Sequence, residues 1–152
     1  MSTSLASSLG FAKIASTDTI REVLRTQISS TARPALHRSS FEPAGGSASE
    51  DWKETVQALS EGVSAVIERA ISKGTDLLLE GVHYVPNKKV IDLWREAGGV
   101  AIGVVLYVSS EERHRGMIAN REKHNGKKVD HYLGNLDRIR EIQEEIVLSG
   151  SE

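Results

Sequence analysis

The chain has 152 residues, the size of one domain, with 39% hydrophobic and 26% charged residues; this balance argues against disorder along the whole length. The net charge of −2 gives no broad basic surface and argues against duplex nucleic acid as a main partner. No cysteine is present, which removes disulfide and thiol chemistry and fits a reducing cytoplasm. The longest apolar run, residues 100–108, is too short to span a bilayer, and the N-terminus lacks the basic-then-apolar pattern of a secretory signal. The expected location is the cytoplasm, with no membrane partner.

In chain order, residues 2–9 read as a helix ended by Gly10, and residues 11–15 ("FAKIA") as a short strand. "STDTIREVLR" then opens a helix near Asp18. Ser16, Thr17 and Asp18 are all N-cap types, Thr19 and Glu22 have capping-box spacing, and Ile20, Val23 and Leu24 form one apolar face. Residues 29–50 hold two prolines and many small polar residues, the mark of a long loop. From Trp52 through Val56, Leu59, Val63, Val66, Ile67, Ala70 and Ile71, apolar residues recur every three or four positions, an amphipathic helix ended at Lys73-Gly74. Leu77 to Leu79 form an apolar run of the kind found in buried parallel strands. Residues 88–97 read as a short helix with Val90, Ile91 and Trp94 on one face, and residues 100–108 ("VAIGVVLYV") as a second buried strand. Residues 110–122 read as a charged helix and "KHNGKK" as a loop. Residues 129–148 read as a last helix with Tyr132, Leu136, Ile139, Ile142 and Ile146 inward. Strands alternating with helices give the α/β class, a parallel sheet covered by helices.

Ligands of open α/β sheets sit beyond the carboxyl ends of the strands. Those ends carry Ser16-Thr17-Asp18, Glu80-Gly81-Val82-His83 and Ser109-Ser110. Asp18 followed at i+3 by Arg21 places a carboxylate that can accept a hydroxyl proton beside a guanidinium that can clamp an anion. The competing reading is that Asp18 caps the helix and Arg21 is solvated. Glu80 ends an apolar strand, where a carboxylate needs a partner or a cleft. It suits a place near a metal-bound water or phosphate, and equally a hydrogen-bonded core edge. His83, taken alone, reads as structural. Arg113, Arg115, Arg121, Lys123, Lys127 and Lys128 surround a Gly-containing loop and would stabilise charge on a transferring phosphoryl group. The alternative there is a solvated helix of mixed charge.

"IASTDTIREVLR", "PALHRSSF", "LLLEGVHYVP", "HRGMIANR" and "YLGNLDRIREIQEEI" stand in the same order as in the 2-phosphoglycerate kinases, which are P-loop kinases. The resemblance runs from about residue 2 to residue 147. It implies a three-layer P-loop kinase-type fold over residues 1–148, with an acceptor-side loop at 29–50 and a lid-like segment at 111–128. It also implies phosphoryl transfer from ATP, with Mg, to a hydroxyl of a small phosphorylated acid. Asp18 resembles the residue facing the acceptor hydroxyl, and Arg115 and Arg121 resemble lid arginines in the catalytic set. Arg21, His37, Ser39, Ser40 and His83 fall on the substrate side. Ser2 and Thr3 fall on the nucleotide side, and Ser2 and Glu80 near the metal. Met117 stands where an aromatic is usual, and "EKHNGKK" replaces an arginine-containing lid tip.

The family expects a first strand and a G-x-x-x-x-G-K-[ST] loop, whose main-chain N–H groups cradle the phosphates. "MSTSLASSLG" resembles the tail of that motif, with Met1 at the lysine position. The resemblance therefore implies a sheet lacking its first, central strand and its last strand, with a gap between the strand ending at Glu80 and the one at 100–108. Unpaired edges and little or no kinase activity follow as expectations. Two other readings stay open: a non-catalytic anion-binding or partner pseudoenzyme, and a P-loop kinase with a different acceptor.

Overall fold

The computed structural model describes residues 2–125 and 129–150. In chain order it holds α1 (Ser2–Leu9), β1 (Ile14–Ser16), α2 (Thr17–Gln27), a 3₁₀ turn (Pro34–His37) and α3 (Ala48–Lys73). After these come β2 (Leu78–Glu80), α4 (Lys88–Glu96), α5 (Glu111–Asn125), α6 (Val129–Leu133) and α7 (Leu136–Ser149). The class is α/β, as expected. β1 and β2 pair in parallel, Ile14 opposite Leu78 and Ser16 opposite Glu80, so both chains leave the sheet at the same level.

Local signals set most boundaries. The Ser16 side chain accepts from the Asp18 N–H, so the cap lies at Ser16 and the Thr19/Glu22 box does not form. The box that does form is Ser47/Glu50, which starts α3. Gly74 closes α3 in the left-handed conformation with φ 56°, as its position predicts. β1 begins at Ile14, three residues later than the sequence suggests, and Leu78 N donates to Lys13 O where the chain enters the pair.

α3 is the spine. Leu59, Val63 and Ile67 on it bury against Leu36 of the 3₁₀ turn, and Ile20 and Leu24 of α2 close the same cluster. Gly62 sits at the α2–α3 crossing, where an added Cβ would lie 3.0 Å from Ile20 Cγ2. Val23, expected on that face, instead points outward. Toward its N-terminus α3 forms a second cluster in which Ala48 and Trp52 pack on Ile142 of α7. The last helix is broken: Asn135 N bonds to Tyr132 O in a tight i→i−3 turn, and α7 restarts at Leu136. Of the "KHNGKK" loop, residues 123–125 extend α5, and 126–128 lie outside the described residues.

The expected buried strand at 100–108 does not form. Val100, Ile102, Val104 and Leu106 are 67–86% exposed, and no strand pairs with this stretch among the described residues. One side of it still docks. A Cβ on Gly103 would meet Pro86, and Val105 lies against Gly150. Gln143 of α7 bonds both the N–H and the carbonyl of Val108. The alternation is that of a strand; what it lacks is a neighbour to complete the ladder. Leu78 to Glu80 are likewise only half-buried.

Candidate functional site

The two strand ends bring Thr17-Asp18 and Gly81-Val82-His83 together. Gly81 takes φ 133°, and a Cβ there would fall 1.9 Å from Thr17 Oγ1, so only glycine permits this approach. His83 is buried at 2% exposure between two hydroxyls. Its Nδ1 lies 3.1 Å from Thr17 Oγ1 and its Nε2 lies 2.5 Å from Ser40 Oγ. Trp52 Nε1 donates to Val82 O at 2.8 Å and fixes the turn from below. Burial is the main reason that the pKa of His83 falls to about 4; the Asp18 carboxylate pulls it up and Arg21 pushes it down.

Asp18 and Arg21 share the first turns of α2. The Asp18 carboxylate is 66% exposed and lies 3.7 Å from His83 Nδ1. Arg21 is largely covered but loosely partnered: Nη1 donates to Arg38 O at 3.3 Å, and the carboxylates of Asp18 and Glu22 stand at 3.9 and 4.0 Å. Among the described residues, its Nε and that of Arg38 are buried without a hydrogen-bond partner. A covered guanidinium with weak partners is prepared to take an anion.

The loop between α2 and α3 is tied down at several points. His37 Nε2 donates to Ile28 O at 2.8 Å, closing the neck of the loop. Arg38 bonds Asp51 O and Glu54 Oε2, each at 2.8 Å. Ser39 N donates to Glu42 at 2.9 Å. Asp51, 3% exposed, accepts from Ala44 N, Gly46 N and Arg138 Nη2, while Arg138 Nε donates to Phe41 O. Burial acts to raise the carboxyl of Asp51, but the two amides and the guanidinium prevail and hold it below its usual range. Asp51 and Arg138 carry the loop geometry, and no spacing in the sequence marks them, since they lie 87 residues apart. The Ser47/Glu50 capping box that precedes Asp51 has the S-x-x-E spacing in "SASE", a signal that reading residues 29–50 as one loop passed over.

Of the anticipated residues, the structure gathers Asp18, Arg21, Ser40 and His83 at the strand ends, with His37 and Ser39 in the adjoining loop. Glu80 ends β2 opposite Ser16. Arg115 on α5 pairs with Glu111 at 3.3 Å. The Arg121 guanidinium lies 5.2 Å from the ring centre of Tyr132, which in turn stands 5.3 Å from Phe41 beside Ser40. Ser2 and Thr3 open α1. Among the described residues no group of three or more His, Cys, Asp or Glu could hold a metal. Ser2 and Glu80 are oxygen donors of the kind Mg accepts when phosphates and water complete its shell.

The chain is 31% identical over 160 residues to 2-phosphoglycerate kinase of Pyrococcus furiosus, covering 100% of this chain and 51% of that protein. It is 34% identical over 161 residues to the Methanococcus vannielii 2-phosphoglycerate kinase, covering 97% and 51%. The Methanothermobacter thermautotrophicus 2-phosphoglycerate kinase is 35% identical over 127 residues, covering 77% and 41%. The chain belongs to the 2-phosphoglycerate kinase family. This family member spans about half the length of the curated relatives it matches. No protein-family model matches it, and no solved structure does. Among its described residues no helix is long and apolar enough to cross a membrane.

Proposed function

We propose that the strand-end cluster is the acceptor side of a 2-phosphoglycerate kinase-type site. The observation that carries this reading is the covered, weakly paired guanidinium of Arg21 beside the exposed carboxylate of Asp18. Arg21 clamps an acidic group of a small phosphorylated acid. Asp18 takes the proton of the acceptor hydroxyl as its oxygen bonds to the γ-phosphorus of ATP. The bond to the β-phosphate bridging oxygen breaks, and ADP leaves. The loop residues His37, Ser39, Ser40 and His83 shape the acceptor side. Arg115 and Arg121 lie on the helix that would answer the developing phosphoryl charge. Ser2 and Thr3 belong to the nucleotide side, with Ser2 and Glu80 toward Mg, which when bound would neutralise the phosphates. The cytoplasm is the proposed location.

The 152 residues contain no G-x-x-x-x-G-K-[ST] run. By themselves they are expected to bind 2-phosphoglycerate while turning over little or no ATP. Calorimetry with 2-phosphoglycerate and an Mg-dependent ATP turnover assay test both halves. Arg21→Ala should weaken acceptor binding on the order of 100-fold. Binding that survives this change would overturn the clamp, and robust turnover by this chain alone would overturn the inactivity. A non-catalytic anion-binding role is the second reading, favoured by the same guanidinium. It gains if a longer chain that carries the glycine run also binds the acid without turnover.

A further inference from the structure

His83 has an environment that a substrate ligand does not need. Its side chain is sealed from solvent, and both ring nitrogens already have hydroxyl partners. Those partners come from separate parts of the chain. Thr17, 0% exposed, starts α2, and Ser40, 7% exposed, lies in the loop between α2 and α3. No other hydrogen bond engages either hydroxyl among the described residues. Two residues before Ser40, the carbonyl of Arg38 receives the Arg21 Nη1 donor. Moving the Ser40 segment therefore moves the carbonyl that orients Arg21.

We propose that His83 is a positioning residue, whose imidazole pins the Ser40 segment to the strand ends and thereby sets the Arg21 guanidinium for the acceptor. This rests on the reading of Arg21 given above. A neutral imidazole donates from one nitrogen and accepts at the other, and either hydroxyl can answer it. The groups facing the ring are Thr17, Asp18 and Arg21 from α2 and Ser40 from the loop. Asp18 Oδ1, 3.7 Å from Nδ1, favours the proton there, leaving Nε2 to accept from the Ser40 hydroxyl. The ring thus acts in one tautomer and does not need to touch the acceptor.

The test uses the ¹⁵N-labelled 152-residue chain with His83→Ala, Ser40→Ala, the double variant, and Glu68→Gln as an exposed control on α3. Three quantities are read: the His83 ring nitrogen shifts between pH 5 and 8, amide exchange over residues 38–47, and 2-phosphoglycerate affinity. The wild-type ring should stay neutral and in one tautomer. Each single variant should speed loop exchange and weaken 2-phosphoglycerate by about tenfold, the effect of one buried hydrogen bond. The double variant should be no worse than His83→Ala, and Glu68→Gln should leave the loop unchanged. Ser40→Ala removes one hydroxyl and keeps the ring, so it decides the matter if His83→Ala fails to fold. Loop exchange unchanged in Ser40→Ala, or a ring titrating near its ordinary value, overturns the proposal. If the wild type does not bind 2-phosphoglycerate, the acceptor reading fails, while the His83 ring shifts and loop exchange still decide whether His83 pins this segment.

Discussion

His83 carries a pH signature that follows from its position. In the unfolded chain its imidazole takes a proton near 6.5; in the folded chain burial delays this to about 4. Between those values the unfolded state binds more protons, so acid favours unfolding. The stabilisation is complete above about pH 6.5, is lost progressively down to about 4, and amounts to roughly 3 kcal/mol. Thermal unfolding between pH 4 and 7.5 should show the wild type losing stability across that window, with His83→Gln giving a shallower slope by about one proton. His114, also lowered by burial and by Arg140 and Arg121, adds to the wild-type slope but is common to both proteins. Asp51, whose carboxyl is held low, acts below its ordinary 3.8 and so beyond the acid end of this window. The residues at the strand ends were legible in the sequence because Asp18, Arg21 and His83 lie close to strongly patterned segments. The role of His83 was not, because it depends on Ser40, 43 positions away, approaching a ring whose burial no local pattern reveals.

At the scale of elements, α3 and α7 are joined by the Asp51–Arg138 pair, which also holds the loop from Phe41 to Gly46. Removing one partner leaves the other charge covered and unmatched. Arg138→Met should cost about 3 kcal/mol, less than the fullest buried pairs because the guanidinium keeps 21% exposure. Adding Asp51→Asn to it should cost less than the sum of the single changes. Urea unfolding of the four proteins checks this, and additive losses would contradict a coupled pair. Helices were the most legible elements, since the period of α3 and its Gly74 stop are written in consecutive residues. The break at Gly134 was less so. The apolar positions on either side continue the same spacing, and the break shows only where the helical bond of Gly134 N to Asp130 O gives way to the tighter i→i−3 bond of Asn135 N to Tyr132 O.

Over the whole molecule, the apolar strip Val100, Ile102, Val104 and Leu106 stands out because alternate side chains meet water. The sequence reads as a buried strand because its composition is that of one. Burial, however, needs a neighbouring strand to complete the ladder and cover the side chains, and none pairs with it among the described residues. Exposed strips of this kind promote association. Ile102→Lys with Val104→Lys should raise the concentration at which the chain remains monodisperse and leave thermal stability within about 0.5 kcal/mol; light scattering and thermal melts read the two effects. A different consequence follows from α3, whose 26 residues run about 39 Å and serve both buried clusters. Neither cluster has a private scaffold. The two halves should therefore lose structure together on heating, and a wound at one end of the rod should be felt at the other.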